Sequence, residues 1–390
     1  MIQKKILWGL TWLLVYIPSF SQNNLTVNEA VEAALKNSPA LKVAHLVVRQ
    51  NEQLVRSARN IPNPELVFDS PSGVFYTLGV QQNFRFPTVY TQQAKLQQQQ
   101  VVLAQKEKTI AENDLKLQVF TNYLNVQYTE ARLHQLQTQD SLFGQIAMAA
   151  KRNFEVGTTD KLVLTMAEMQ ATDVKNQVMM ADQAVSIAKE KLILLTGISS
   201  FNVSSFVTYS NSLQRIDLNQ NPTIEAVKQI ETLSQNAIQV EKANTLPSFM
   251  VGYYNQGSRE ANLGLRWRVG VSVPLWAGQY KSRVSAAQTG LEVARQQTEA
   301  QTLALTSDFQ SAKGELVKFQ NALNFYENTA LQQANSLIEM ARRFFESGQT
   351  DFITLSKTTN DAYKIKFQYL DTQYQYNQSA LIIKYLTGDL

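Results

Sequence analysis

Two regions of the sequence alternate between apolar and polar residues with a period of two. Even positions are mostly apolar over residues 74–86, and odd positions are apolar over residues 263–273, with aromatic residues in both. Shorter alternating segments precede them at residues 66–68 and 249–253, and turn-like sequences at residues 69–73 and 256–259 join each pair. This period is that of a β-strand with two different faces. The sequence therefore predicts two β-hairpins, at about residues 65–86 and 248–274.

Long helices are predicted after each hairpin, at about residues 88–197 and 278–388. Residues 279–347 contain no proline, and their only glycines are Gly290 and Gly314. Apolar residues recur there at intervals of three and four, which is the spacing of a coiled-coil seam. A helix of 65–70 residues would be about 100 Å long. Away from the seam the helices carry Gln, Asn, Ser and Thr more than Glu and Lys, which favours a water-lining face over a cytoskeletal coiled coil.

The two halves of the chain are similar to each other at a shift of 191 residues. Residues 150–160 align with residues 341–351, and Leu195-Thr196-Gly197 aligns with Leu386-Thr387-Gly388. In each half a helical run (residues 26–59 or 223–243) precedes a proline-marked break, a hairpin and the long helices. The sequence therefore predicts a duplication, with a first structural repeat at residues 22–210 and a second at residues 211–390.

The first 21 residues have the features of a secretory signal peptide. Lys4 and Lys5 precede an apolar stretch over residues 6–17, and small residues follow at Ser19 and Ser21. About a dozen apolar residues are short for a membrane anchor, which needs about 20, so we expect cleavage after Ser21. No later stretch reaches 18 apolar residues, so a membrane-spanning part would have to be a β-barrel.

The composition argues against most kinds of chemistry. The 390 residues include no Cys and only two His, 17% are charged, and the net charge is +4. Without Cys there is no disulfide framework, thiolate metal site or catalytic thiol. The positive charge is too small and dispersed for nucleic-acid binding. We therefore expect no catalytic, cofactor-binding or metal-binding site, no nucleic-acid partner and no enzyme activity.

The alternating segments have the character of outer-membrane strands, with one apolar, aromatic face and one small, polar face. A half-buried hairpin of a soluble protein gives the same alternation. Four strands cannot close a membrane barrel, since known barrels have at least about eight, and open sheet edges are not tolerated in lipid. If these strands cross a bilayer, several copies must share one barrel, and three copies would supply twelve strands.

Several motifs, in the same order in both halves, resemble the TolC-like outer membrane efflux protein family. They are residues 25–31 (LTVNEAV), 34–39 (ALKNSP), 82–90 (QNFRFPTVY), 270–276 (GVSVPLW) and the two turns at 154–160 (FEVGTTD) and 345–351 (FESGQTD). The resemblance implies a mainly α fold with membrane β-structure: a homotrimer with a shared 12-stranded β-barrel in outer-membrane lipid, continued by a long α-helical coiled-coil barrel in the periplasm. It places the protein in a Gram-negative bacterium. Residues 86–90 (FPTVY) are similar to the branch that accompanies heavy-metal pumps of the resistance-nodulation-division (RND) class.

The resemblance also suggests functional positions. The two glycine turns correspond to the family's periplasmic tips, which contact the adaptor, or membrane fusion protein; their residues are Gly157, Thr158, Thr159, Asp160, Gly348, Gln349, Thr350 and Asp351. A purely structural role as turn and cap residues explains the same residue types. Arg85, Arg266 and Arg268 fall on the polar strand face as candidate lumen residues, and Pro87 and Pro274 mark the barrel-to-helix transition. The family's acidic gate is not evident, since residues 352–357 contain no carboxylate.

The function expected from these features is passive. The protein would be the outer membrane channel of a tripartite efflux system, exporting heavy-metal cations delivered by an inner-membrane RND pump through an adaptor. Drug efflux or type I secretion is the alternative within the family. A soluble periplasmic coiled-coil adaptor or chaperone is the alternative from another class.

Overall fold

The computed structural model describes residues 24–70, 73, 75–210, 217–258 and 262–390. The predicted signal peptide, residues 1–21, lies outside this part of the chain. The described residues form a small antiparallel sheet from which long helices extend. Their strands are β1 (Asn24–Leu25), β2 (Glu65–Asp69), β3 (Phe75–Phe84), β4 (Asn202–Val203), β5 (Ser248–Ser258) and β6 (Asn262–Ser272).

Helices make up most of the described residues. They are α1 (Val27–Asn37), α2 (Pro39–Ser57), α3 (Pro87–Glu155), α4 (Lys161–Thr196), α5 (Pro222–Ala243), α6 (Ala277–Phe325), α7 (Leu331–Glu346) and α8 (Phe352–Thr387). A short 3₁₀ segment, Leu218–Gln220, precedes α5, and a π-helical segment, Tyr326–Ala330, joins α6 to α7. At 69 residues, α3 is about 100 Å long. The expectation of a mainly helical chain with very long helices is confirmed.

The sheet combines strands from both halves of the chain in the order β2-β3-β5-β6, with every neighbouring pair antiparallel. The central pairing joins β3 to β5, so that Gly79 lies opposite Tyr254 and Gln81 opposite Gly252. The predicted turn at residues 256–259 is wrong in part, since β5 continues through Ser258. A second, two-stranded parallel sheet pairs β1 with β4.

Helix ends follow local capping chemistry. Thr26 and Glu29 form a capping box at the start of α1, and Asn221 caps α5, in which Pro222 is the first residue. The sequence predicted one helical run over residues 26–59, and this is wrong at Ser38. Ser38 has an extended ψ of 121° and its side chain caps α2, because a residue before proline avoids the helical conformation.

The core consists of three buried apolar clusters along the helices. One joins α5, α6 and α8 around Leu305, Phe309 and Leu323. A second joins α1, α3 and α4 around Val119, Tyr123 and Leu192. The third lies near the ends of α3 and α7 and the starts of α4 and α8, and includes Phe143, Phe352 and Leu355. The third cluster brings both predicted glycine turns to the same end of the molecule.

Candidate functional site

The four-stranded sheet has one apolar and one mainly polar face. Because opposed residues of an antiparallel pair point to the same side, the register places the alternating apolar residues of all four strands on one face. This apolar face is uncovered: Leu66 is 83% exposed, Trp267 73% and Val269 72%. It also carries Phe68, Leu78, Val80, Val251, Tyr253 and Val271, all exposed. Soluble proteins rarely leave so large an apolar patch in water.

Tyr254 organises the opposite, polar face. Its ring is only 2% exposed and lies against Gly79 and Gly252, where any side chain would overlap it. Its hydroxyl donates to Oε1 of Gln81 at 2.8 Å. The Arg268 guanidinium lies 4.6 Å from the ring centroid, in the range of a cation–π contact. Sequence analysis missed this arrangement, although the glycines at 79 and 252 within alternating strands signal close packing.

The three arginines predicted for the polar face do not form one group. Arg266 and Arg268 lie on the polar face of β6, opposite Tyr254 and Gly252. Arg85 lies one residue beyond β3, and its backbone N–H donates to the Tyr90 hydroxyl at 3.0 Å. Arg85 therefore belongs to the connection between sheet and helix.

Both proline-marked transitions lie where the sheet meets a long helix. Pro87 is the first residue of α3, a position where proline is favoured because its missing N–H would be unpaired anyway. Pro274 lies between β6 and α6. Beside it Leu275 and Trp276 are exposed.

The two glycine turns have the same geometry. Gly157 has a φ of 75° and Gly348 a φ of 73°. The N–H groups of Thr158 and Gln349 each donate to a carbonyl five residues earlier, at 2.8 Å, as in a Schellman helix ending. Both following helices are then capped by aspartate.

The aspartate caps of the tips are closely matched. Asp160 accepts from the N–H of Val163 at 2.9 Å, and Asp351 from the N–H of Thr354 at 2.7 Å. The Thr354 N–H stabilises the charged form of Asp351 and lowers the pKa of this exposed carboxyl. Thr159 and Thr350 are half-buried, whereas Gly157, Thr158, Gly348 and Gln349 are exposed.

Exposed apolar side chains surround each turn, which sequence analysis did not predict. Val156 and Leu162 flank the first turn, and Phe344 and Ile353 flank the second. All four are exposed large hydrophobic side chains. The tips therefore offer apolar as well as polar contact surface.

Polar links join the two halves of the chain between α3 and α8. Asp371 accepts from the Tyr128 hydroxyl at 2.6 Å and pairs with Arg132 at 3.1 Å. Burial, with the Asp371 hydrogen bond, raises the pKa of Tyr128 to about 12. Nearer the sheet, the Tyr385 hydroxyl donates to Asp114 at 2.7 Å. These partners lie more than 200 residues apart, and local patterns gave no signal for them.

Two further properties of the described residues concern metal binding and the hydrophobicity of the helices. Over the described part of the chain, His, Asp and Glu form no cluster of three or more that could hold a metal ion. Within the same residues, no helix is both long enough and apolar enough to cross a membrane.

Comparison with known proteins finds similarity to outer membrane efflux proteins. Residues 215–389 match the family described as outer membrane efflux protein (OEP). The chain is 20% identical over 394 residues to the cobalt-zinc-cadmium resistance protein CzcC of Cupriavidus metallidurans, covering 97% of this chain and 93% of that relative. It is 22% identical over 309 residues to the outer membrane protein TolC of Vibrio cholerae, covering 74% of this chain and 70% of TolC.

Solved structures agree on the fold. The fold superposes on a structure of CusC, described in connection with transmembrane channel formation, with a TM-score of 0.80 at 15% identity, covering 95% of each chain. The names of these similar proteins describe outer membrane, efflux and transmembrane channel proteins. The chain is therefore similar over nearly its whole length to TolC-like outer membrane efflux proteins, its second half matches their family model, and these matches indicate localisation in the outer membrane of a Gram-negative bacterium.

Proposed function

We propose that this chain is the passive outer membrane channel of a heavy-metal efflux system. The observation that carries the proposal is the uncovered apolar face of an open four-stranded sheet. In lipid such a face is stable, but its two open edges are not, because their backbone groups would be unpaired. Three copies would supply twelve strands and close both edges, with the polar face lining the lumen.

The helical part extends this conduit. The 69-residue helix α3, about 100 Å long, continues from the sheet at Pro87, and α6 follows after Pro274. Three copies of the four long helical segments would form a second barrel across the periplasm. The many exposed Gln, Asn, Ser and Thr side chains of these helices suit a water-lined wall without strong selectivity. Such a wall supplies no energy for export, which would come from a separate pump.

The proposed cargo is a divalent metal cation, supported by the name of one relative. CzcC is a cobalt-zinc-cadmium resistance protein, and the similarity to it covers nearly the whole chain. Arg266 and Arg268 give the polar sheet face a positive charge, which does not help cation passage. In a wide channel at physiological salt, screening over about 8 Å limits their effect. Drug or polypeptide export remains the alternative cargo within the family.

Both glycine turns are proposed as docking sites for a periplasmic adaptor. The polar candidates are Gly157, Thr158, Thr159, Asp160, Gly348, Gln349, Thr350 and Asp351. Exposed Val156 and Ile353 add apolar area beside them, and apolar side chains contribute most of the binding energy where two surfaces exclude water. A docking role predicts that Val156→Ser weakens adaptor binding and leaves the trimer intact.

A deletion strain tests the proposed cargo. We expect loss of the protein to increase sensitivity to cobalt, zinc and cadmium salts, with restoration by the wild-type gene. Sensitivity to drugs and not to these metals would overturn the metal assignment and favour the alternative cargo. Fractionation tests the localisation of the working form, since recovery without detergent in the soluble periplasmic fraction would favour an adaptor or chaperone.

A further inference from the structure

The charged side chains of the four-stranded sheet are divided between its two edges. Edge strand β2 carries Glu65 and Asp69, and the opposite edge strand β6 carries Arg266 and Arg268. The central strands β3 and β5 contain no Asp, Glu, Lys or Arg. The register places all four charged residues on the polar face. One edge of the sheet is therefore acidic and the other is basic.

A row of side chains spans the polar face and holds the charges at its two ends. Glu65, Gln81, Gly252 and Arg268 lie at one level of the sheet. Gln81 Nε2 donates to Glu65 Oε2, and Asn83 Nδ2 donates to Glu65 Oε1 at 3.2 Å. Because Gln81 also accepts from Tyr254, and Tyr254 lies beneath Arg268, the row orders both edges.

The strand directions allow these two edges to meet. Three successive antiparallel pairings make β2 and β6 run in opposite directions. Joining β6 of one copy to β2 of the next therefore continues the antiparallel alternation. Such a head-to-tail contact uses two different surfaces and can close into a ring. The ion pairs found among the described residues all lie between or within helices, so none of them involves these four strand charges.

We propose that the acidic edge of one copy pairs with the basic edge of a second copy, so that Glu65 and Asp69 face Arg266 and Arg268. The contact between β2 of one copy and β6 of the next is called the seam. The proposal rests on the shared barrel proposed above. It assigns the residues that determine which strand edges join when the barrel closes. Two β2 edges would place carboxylates together, and two β6 edges would place guanidinium groups together. Like charges on facing strands are destabilising, so repulsion excludes these symmetric contacts while attraction favours the ring.

Charge reversal tests the seam in the full-length protein expressed in the outer membrane. We expect Glu65→Arg with Asp69→Arg, or Arg266→Glu with Arg268→Glu, to lower the trimer-to-monomer ratio about tenfold, since each seam then faces like charges. The neutral isosteres Glu65→Gln with Asp69→Asn form the matched control and should lower it less. Combining both reversals restores opposite charges across every seam and should recover the trimer.

Cross-linking separates this proposal from the barrel itself. The chain contains no Cys, so Leu66→Cys on β2 and Val269→Cys on β6 introduce the only thiols. Within one copy these positions are three strand spacings apart, about 14 Å, beyond a short bis-maleimide. The double variant should give covalent trimers, and either single variant should give none.

Each outcome has a distinct meaning. A wild-type protein that stays monomeric in the membrane would refute the shared barrel and the seam together. Covalent trimers combined with normal assembly of the charge-reversed variants would leave the barrel standing and overturn the charge pairing. Failure of the combined reversal to recover the trimer, at unchanged helical content by circular dichroism, would also overturn it.

Discussion

Backbone conformation limits which residues can occupy the two tips. Gly157 and Gly348 have φ values of 75° and 73°, where a residue with a Cβ atom is strained. A Cβ at either position would have no other atom within 4 Å. The requirement for glycine is therefore conformational and does not come from close packing. The neighbouring threonine and aspartate residues are less restricted, because they act through replaceable hydrogen bonds.

Replacing Gly157 by alanine should destabilise the protein through backbone strain alone. We expect Gly157→Ala to cost about 1–2 kcal/mol. The matched control is Gly144→Ala, since Gly144 lies inside α3 and a Cβ there is equally uncrowded; it should stabilise by about 0.5–1 kcal/mol. Thermal unfolding followed by circular dichroism measures both. Equal shifts in the same direction would contradict the conformational argument.

At the scale of elements, the contact between α3 and α8 depends on polar groups as well as on apolar packing. Asp371 receives two donors from α3, the Tyr128 hydroxyl and the Arg132 guanidinium. The ring of Tyr128 also packs 4.7 Å from that of Tyr374 on α8. Loss of Asp371 would remove both hydrogen bonds at once and leave the half-buried phenol without its acceptor.

Replacing Asp371 by alanine should destabilise the protein more than loss of an ordinary surface ion pair. We expect Asp371→Ala to cost about 1–3 kcal/mol, since a hydrogen bond to a charged group is worth more than a neutral one. The control is Glu315→Ala, which removes an exposed pair with Lys318 inside α6 and should cost less than about 1 kcal/mol. Chemical unfolding compares the two variants.

The contribution of the Tyr128–Asp371 hydrogen bond to folding stability depends on pH with a definite sign. The Tyr128 pKa is raised to about 12 from its ordinary 10, so its contribution to folding is fully present below pH 10. It is lost as the pH rises through 12, because ionised Tyr128 no longer donates to Asp371. Tyr128→Phe should remove this part of the alkaline destabilisation. An alkaline unfolding curve identical to that of the wild type would show that Tyr128 does not act in this way.

Local sequence patterns predicted the elements better than their contacts. Alternation over residues 74–86 and 263–273 indicated the strands, and glycine with aspartate indicated the helix ends, since both signals arise from neighbouring residues. The pairing of β3 with β5 joins residues about 170 apart, and no periodicity encodes it. The π segment at Tyr326–Ala330 was also missed, because its heptad spacing continues across it. There Tyr369 on α8 donates to Glu327 at 3.3 Å, a tertiary contact.

At the scale of the whole molecule, a single chain buries the cores of its helices but leaves its sheet uncovered. Its helices have buried cores at three levels, whereas its sheet leaves the apolar face and both edges uncovered. In the proposed trimer, lipid covers the apolar face and identical copies pair with the edges. Folding of the helices and completion of the sheet are therefore different processes, and a substitution on the sheet can block assembly while the helices remain folded.

This separation predicts a strong difference between the two faces of β6. Val269→Arg places a charge on the apolar face and should cost about 2–4 kcal/mol near the bilayer midplane. Ser272→Arg is on the opposite face of the same strand, where water hydrates the charge, and should be milder. We expect Val269→Arg to abolish trimers in the outer membrane and Ser272→Arg to retain them, with helical circular dichroism unchanged in both. Equal loss of trimers from both variants would mean that the two faces meet the same environment. The apolar face would then be a protein contact, and the sheet would not be a membrane wall.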